Sequence, residues 1–260
     1  MTATPTVTVI VVTRDRPRLL ADALASVVAQ EPAPLELRVG EDGGGSAAHV
    51  VESLPLLEAT LLPLACGQAG AARNAAAAGA RGGVLAFLDD DDFWKPGHLA
   101  GLVSAFADPA VGFAWRDSEV VRERVLPDGT RAALERRTLA RNWDDALMRS
   151  DDYLPPSAWG IRRDLFQRLG GFDPSFRYSE DWDLALRAAA VTRVRRVPGV
   201  TVEVRLRVGQ GTDGLANASA AFDVERLDCL RRLAERHGFP TPEPKTFWEV
   251  AMVVGRAQGS

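Results

Sequence analysis

The stretch Gly83-Val84-Leu85-Ala86-Phe87-Leu88-Asp89-Asp90-Asp91-Asp92 drives an apolar run directly into four carboxylates. A continuous hydrophobic run of this length reads as a parallel strand buried on both faces, and α/β sheets bind ligands at the carboxyl ends of their strands. The cluster therefore puts dense negative charge where such a fold binds things. Two like charges about 4 Å apart repel by roughly 1 kcal/mol in water and several-fold more near a protein surface. A hard divalent cation, Mg2+ or Mn2+, carrying substrate phosphates would relieve that repulsion. The competing reading is a solvated acidic turn capping a helix that begins near Pro96, with Asp92 as the cap. The buried strand feeding the cluster favours the cation.

Working outward from this strand, the preceding residues alternate strands and helices. Val7–Val12 is β-branched and apolar, hence a buried strand. Asp15 can cap the helix that follows, with Pro17 in its first turn and Leu20, Leu24, Val27 and Val28 on its apolar face. Leu35–Val39 makes a second strand ending in Gly40-Glu41-Asp42-Gly43-Gly44-Gly45. A short helix near Ser46–Leu54, a strand at Ala59–Leu64 and an alanine-rich helix at Ala69–Ala80 complete the series. This alternation implies parallel strands, right-handed crossovers and a doubly wound, Rossmann-like α/β sheet.

After Asp108-Pro109 the pattern turns mixed. Strands are expected at Val111–Trp115 and Ser118–Leu126, then a hairpin turn at Pro127–Thr130 leading into Arg131–Arg137. Asp151–Pro156 reads as a loop, and helices are expected near Arg163–Leu169 and Ser179–Ala190. Val194–Val197 and Val200–Arg207 read as strands and Gly209–Gly214 as a mobile loop. Helices near Ala218–His237 and Lys245–Val254 follow. The expected organisation is a doubly wound half over residues 1–108 and a smaller mixed α+β half over 109–260, packed as one unit.

Composition narrows the function classes. With 260 residues, 46% hydrophobic and 25% charged, the chain has the makeup of an ordinary globular protein with room for a substantial core. A net charge of −4 argues against a nucleic-acid or anionic-membrane binder. Cys66 and Cys229 have no metal-type spacing and read as small hydrophobes, and His49, His98 and His237 are too few for a multi-histidine zinc centre. Without a signal-like start or a stretch of membrane-spanning length, the expected location is cytoplasmic. Heavy use of Ala, Arg and Gly suggests a bacterial genome of high GC content.

Three strand ends converge on one rim: Thr13-Arg14-Asp15, Glu41-Asp42 and Asp89 to Asp92. There is no G-x-x-x-x-G-K-[ST] loop, and no G-x-G-x-x-G follows the first strand. Phosphates would instead be held by a metal and by arginines, as suits a nucleoside diphosphate leaving group.

Taken in order, the segments Val7–Gln30, Leu35–Gly44, Gly67–Pro96 and Arg162–Ala188 resemble the inverting glycosyltransferases of family 2, with the GT-A fold. The motifs that carry the likeness are Val12-Thr13-Arg14-Asp15-Arg16-Pro17, Gly67 to Asn74, Ala86 to Asp92, Gly170-Gly171-Phe172-Asp173 and Ser179-Glu180-Asp181-Trp182-Asp183. The resemblance implies a D-x-D motif at Asp89-Asp90-Asp91. Asp91, with Asp89, would hold Mn2+ or Mg2+, and Asp89 or Asp90 would contact ribose or a metal-bound water. It implies Arg73 near the nucleotide base, with Thr13, Arg14 and Asp15 walling base and ribose. Glu41 stands where the family usually has an aspartate and Arg14 where it has an aromatic, departures that count against uracil and favour guanine or thymine, so the donor is not fixed among UDP, GDP and dTDP. Asp42 is either a base contact or part of an ordinary acidic turn.

The Glu180-Asp181 pair resembles the family's E-D motif, which makes Asp181 the general base. Inverting transfer needs one carboxylate to take the acceptor's proton as its oxygen attacks the anomeric carbon. In a helix's first turn the dipole would keep Asp181 ionised. Trp182 is expected to pack on Gly171-Phe172. Arg205 and Arg207 would grip the diphosphate, with Gly209–Gly214 closing over it. Trp115, Trp143, Tyr153 and Trp159 would line an acceptor pocket or belong to the core. The implied partners are a nucleotide-sugar donor and a small-molecule, lipid-linked or glycan acceptor, with a homodimer possible. The alternative is a non-catalytic nucleotide-sugar-binding relative. A sugar nucleotidyltransferase would need a glycine-rich loop after the first strand, which Arg14-Asp15-Arg16-Pro17 does not supply.

Overall fold

The computed structural model describes residues 5–54, 58–126, 130–208 and 224–257. Strand β1 (Val7–Thr13) leads through helix α1 (Pro17–Val28) to β2 (Glu36–Glu41), and α2 (Ala48–Glu52) leads to β3 (Ala59–Pro63). Helix α3 (Ala69–Ala77) then returns the chain to β4 (Val84–Asp89) on the opposite side of β1. The four strands are parallel in the order β3-β2-β1-β4. The chain therefore winds one way from β1 and comes back the other way to β4, which opens a crevice between the carboxyl ends of β1 and β4. Val12 pairs with Asp89 across that point.

The interior is apolar, as the sequence pattern requires: Leu20, Leu24 and Val27 of α1 and every residue from Val84 to Leu88 are buried. Pro17 does open α1, but Asp15 does not cap it, because Arg16 occupies the cap position and makes no side-chain cap bond. Asp15 instead adopts φ 53° and points its carboxylate at the Gly44 amide, 2.7 Å away.

Beyond β4 come β5 (Phe93–Trp94), α4 (His98–Ala105) and the long strand β6 (Val111–Val125). The two strands expected over 111–126 are thus one. The polar Arg116-Asp117 pair reads as a break, yet Asp117 is buried and matched by Arg196 at 2.6 Å. The same holds for β9 (Arg193–Arg207), a single strand running parallel to β6 with register shifts where Pro198-Gly199 falls. Antiparallel to β6 lie β7 (Arg131–Leu139) and β8 (Trp159–Arg162), the latter not anticipated as a strand. β8 also pairs with β4, so it joins the parallel strands to the mixed ones in one sheet that crosses residue 108. Helices α5 (Arg163–Arg168), α6 (Glu180–Ala189), α7 (Val224–His237) and α8 (Phe247–Val254) follow, with a short edge strand β10 (Arg256–Ala257).

The Thr246–Glu249 capping box starts α8: Thr246 Oγ1 accepts the Glu249 amide and Glu249 returns the bond to the Thr246 amide. Residues 127–129 of the expected hairpin turn, residues 218–223 of the expected helix and the loop 209–214 lie outside the described residues. Both cysteines are free. No helix among the described residues is long and apolar enough to cross a membrane.

An aromatic cluster joins the two parts of the sheet. Phe87 of β4 contacts Trp159 of β8 at 5.0 Å between ring centroids and meets Phe172 edge-on at 5.2 Å. Phe172 lies between α5 and α6, so the strand that delivers the acidic cluster packs directly on the segment that delivers Glu180 and Asp181.

Candidate active site

The four aspartates form a tight turn between β4 and β5, closed by the Asp92 amide on the Asp89 carbonyl at 3.1 Å. Each carboxylate has its own surroundings. Asp90 is 1% exposed, accepts from Thr13 Oγ1 at 2.6 Å and pairs with Arg16 at 3.0 Å. It anchors the turn to β1. Asp92 is also buried, accepting from Ser157 Oγ at 2.6 Å and from the Arg205 amide at 3.1 Å. It therefore does not cap α4, whose cap position is Gly97, but ties the turn to β9 and to the segment before β8. Burial first, and then the charge of Asp91, push both carboxyls above the usual range.

Asp89 and Asp91 keep more open faces, at 29% and 13% side-chain exposure. Asp91 pairs with Arg207 and with Arg16 at 3.3 Å. One oxygen each of Asp89, Asp91 and Asp92 can be chosen within 4.8 Å of one another. Three hard carboxylate oxygens at that spacing fit Mn2+ or Mg2+.

Across the crevice α6 begins at Glu180, preceded by Ser179 in the left-handed region at φ 63°. Glu180 is 7% exposed and paired with Arg73 Nη1 at 2.8 Å. The other terminal nitrogen of Arg73 pairs with Asp89 at 2.6 Å, and its guanidinium sits 5.5 Å over the Phe172 ring. Arg73, expected beside a nucleotide base, is thus the bridge between the metal-type turn and the E-D pair. Asp181 faces the same cavity, its Oδ1 accepting the Trp182 amide at 2.9 Å. The expected effect of the helix start is present but opposed here by burial. Burial pushes the Asp181 carboxyl up, against the opposing pull of Arg73 and the Trp182 amide. The Glu180 carboxyl is also raised, by burial and then by the charge of Asp181.

These groups wall one cavity of about 460 Å³. Arg16, Asp152, Arg226, Lys245 and Phe247 also line it, and sequence reasoning assigned none of them a role. The Asp151-Asp152 pair ahead of Pro155-Pro156 is a second acidic doublet and was the available signal. Asp151 is buried and pairs with Lys245 at 2.6 Å, which fastens the C-terminal helices to this wall.

The remaining candidates separate. Thr13, Arg14, Asp15, Glu41 and Asp42 cluster at the ends of β1 and β2 but are not part of this cavity wall. Glu41 is 3% exposed and accepts the Ala47 amide at 2.8 Å, while Asp42 accepts the Gly67 amide at 2.7 Å, so both organise loops. Neither Arg205, 5.0 Å from the Phe93 ring, nor Arg207, paired with Asp91, is part of the cavity wall. Trp115, Tyr153 and Trp159 are core residues, and Trp143 is half-buried outside the cavity. The indole of Trp182 donates to the Met148 carbonyl at 2.8 Å and stacks on Phe239.

A family model described as Glycosyl transferase family 2 matches residues 8–170. The chain is 32% identical over 242 residues to the uncharacterized glycosyltransferase YwdF of Bacillus subtilis (strain 168), covering 93% of this chain and 87% of that one. Among solved structures it superposes on S. aureus TarS with a TM-score of 0.63 at 17% identity, covering 89% of this chain but only 39% of TarS. TarS residues 1–349 in complex with UDP-GlcNAc gives a TM-score of 0.64 at 16% identity, covering 88% of this chain and 66% of that one. The mannosyltransferase PcManGT from Pyrobaculum calidifontis, in complex with GDP-Man and Mn2+, gives 0.62 at 21% identity, with 96% and 69% covered. The fold is GT-A.

Proposed function

The chain belongs to glycosyl transferase family 2, a nucleotide-sugar-dependent glycosyltransferase by that membership, and on that premise we propose that it transfers a sugar with inversion to a hydroxyl acceptor, Asp181 acting as general base. The observation that carries the reading is the double ion pair of Arg73. It holds the open carboxylate of the acidic turn and the neighbour of the base on one cavity, with donor-side and acceptor-side chemistry a few ångströms apart.

Asp181 takes the acceptor's proton as the acceptor oxygen bonds to the anomeric carbon. The bond from that carbon to the leaving phosphate breaks, and its electron pair departs with the nucleoside diphosphate. A carboxylate whose affinity for a proton is raised accepts one more readily than an ordinary carboxylate. Burial of Asp181 supplies that shift. Asp89 and Asp91, with Asp92 beside them, would hold Mn2+ or Mg2+, which would offset the charge of the leaving diphosphate. Arg16 and Arg207 stand at the same carboxylates and offer guanidinium donors to phosphate oxygens. Thr13, Arg14, Asp15 and Asp42 are the proposed wall for base and ribose. The named complexes with UDP-GlcNAc and GDP-Man leave the donor base open between uracil and guanine.

The test follows nucleoside diphosphate release from UDP-, GDP- and dTDP-sugars with Mn2+, in wild type and Asp181→Asn. The variant should lose about 10²–10⁴-fold in turnover. Donor binding with turnover untouched by the substitution would remove Asp181 as base.

A further inference from the structure

Asp152 stands half-buried on the cavity wall, in the loop that precedes β8. Its Oδ1 accepts the Leu154 amide at 3.2 Å, and its second oxygen has no protein partner among the described residues. The other carboxyls of this wall are differently engaged. Glu180 is held by Arg73, and Asp151 is buried on Lys245. Asp152 is therefore a carboxyl positioned by its own backbone with capacity left for a ligand.

Its place relative to the base follows from which charges reach it. Burial raises the Asp152 carboxyl well above the usual range, Asp181 and then Glu180 add to that, and Arg226 opposes it. Asp152 thus shares the cavity wall with Asp181 and lies near enough for the charge of the base to act on it. In a displacement with inversion, the attacking oxygen comes from the face opposite the leaving diphosphate, so the side of the base is the acceptor's side. A carboxyl whose protonated form burial favours can offer one O–H donor and one carbonyl acceptor, which a neutral hydroxyl meets from both sides.

We propose that Asp152 is an acceptor-binding residue, hydrogen-bonded to a second oxygen of the acceptor beside the hydroxyl that yields its proton to Asp181, so that the acceptor is a sugar or other polyol rather than an isolated alcohol. This rests on Asp181 being the base. A site built to hydrogen-bond a hydroxyl discriminates strongly against a molecule lacking it, because the buried polar group is then left unpaired.

The full chain with MnCl2 and UDP-GlcNAc or GDP-mannose is offered methyl glycosides and, as a one-hydroxyl control, cyclohexanol. Nucleoside diphosphate release is followed against the concentration of each component. Asp152→Ala should raise the acceptor KM about 10- to 100-fold, leave the donor KM within about 2-fold, and be largely rescued by Asp152→Asn, which keeps a donor and an acceptor. An unchanged acceptor KM, an equal rise in the donor KM, or cyclohexanol serving as well as a glycoside overturns the assignment. Where no glycoside turns over, saturation-transfer NMR reads glycoside binding in the presence of UDP or GDP. Loss of the wild-type signal in Asp152→Ala supports the assignment; no wild-type signal, or one the variant keeps, overturns it. Turnover that survives Asp181→Asn would instead sink the base, whatever Asp152 does.

Discussion

Replacing Arg73 by methionine removes the bridge between the acidic turn and the base helix while keeping an apolar chain over the Phe172 ring. Arg73 is 6% exposed and Glu180 7%, so the substitution leaves a buried carboxylate without its cation. Breaking one partner of a buried pair costs about 3–5 kcal/mol. The second partner, Asp89, is 29% exposed, and water takes up most of that loss, which adds at most about 1 kcal/mol. For a chain of this size each kcal/mol moves the melting point by about 2–4 °C, so a fall of roughly 6–24 °C is expected.

The pH dependence has a definite sign. Arg73 now holds down carboxyls at Glu180 and Asp181 that burial has already raised above their ordinary values. Without it both rise further. An acid whose folded pKa lies above its unfolded one binds its proton more tightly when folded, so stability falls as pH rises through the interval between the two. The penalty of Arg73→Met should therefore be largest near pH 8 and shrink toward pH 5, where Glu180 is neutral. Urea unfolding at pH 5, 6.5 and 8 measures it. A penalty below about 1 kcal/mol at pH 8, or one that grows as pH falls, would show that the bridge does not organise the site. In the active protein the acid limb of the pH–rate profile should also move upward, since Asp181 loses the cation that opposes its protonation.

Two further outcomes test neighbouring parts of the site. Asp91→Ala should abolish the extra thermal stabilisation that Mn2+ gives together with UDP or GDP, worth about 2.7 kcal/mol at a hundredfold excess over Kd in a metal-competent protein; equal stabilisation in both proteins would remove Asp91 from the cation site. Gly171 has φ +71°, and a Cβ there would lie 2.4 Å from Asn74 Oδ1. Gly171→Ala should cost about 2–3 kcal/mol in urea unfolding, from the left-handed backbone and the displaced Asn74 hydrogen bond, and a loss within about 0.5 kcal/mol would contradict that.

How much of this was legible in the sequence depended on whether a residue's surroundings were local. The parallel strands announced themselves because each is a short apolar run between turn residues and helical patterns. The acidic turn and the E-D pair were visible because both sit at element ends. The strand Trp159–Arg162 was not, since four residues containing Gly160 show no period, and only its neighbours β4 and β6 make it a strand. The polar interruptions at Arg116-Asp117 and Pro198-Gly199 looked like strand breaks because their matching partners lie about 80 residues apart in the chain. The protonation tendency of Asp181 was misjudged for the same reason: the helix dipole can be read from position, but burial comes from α3, the loop at Asp152 and the C-terminal helices together. Glu41 and Asp42 carried the right charge for a ligand, and both also accept hydrogen bonds from loop amides that the local sequence does not reveal.

An alanine-rich helix proves to set the spacing of the site. Helix α3 reads as seven Ala and Gly residues broken by Arg73-Asn74. Those two consecutive residues reach different targets. Arg73 holds Asp89 and Glu180, while Asn74 brackets Phe172, accepting from its amide at 2.9 Å and donating to its carbonyl at 2.7 Å. Phe172 in turn packs on Phe87 in the strand that carries the acidic turn. One turn earlier, Gly70 lets α6 approach so closely that a Cβ there would meet Glu180 Cγ at 2.9 Å. The run of small residues is thus what brings a backbone, rather than a side chain, against the start of α6. Without that approach, a guanidinium anchored in α3 could not pair with Glu180 and Asp89 at the same time. The distance between the donor-side carboxylates and the base is therefore fixed by the packing of α3, and substitutions on its buried face should alter turnover without touching any group that meets the substrate.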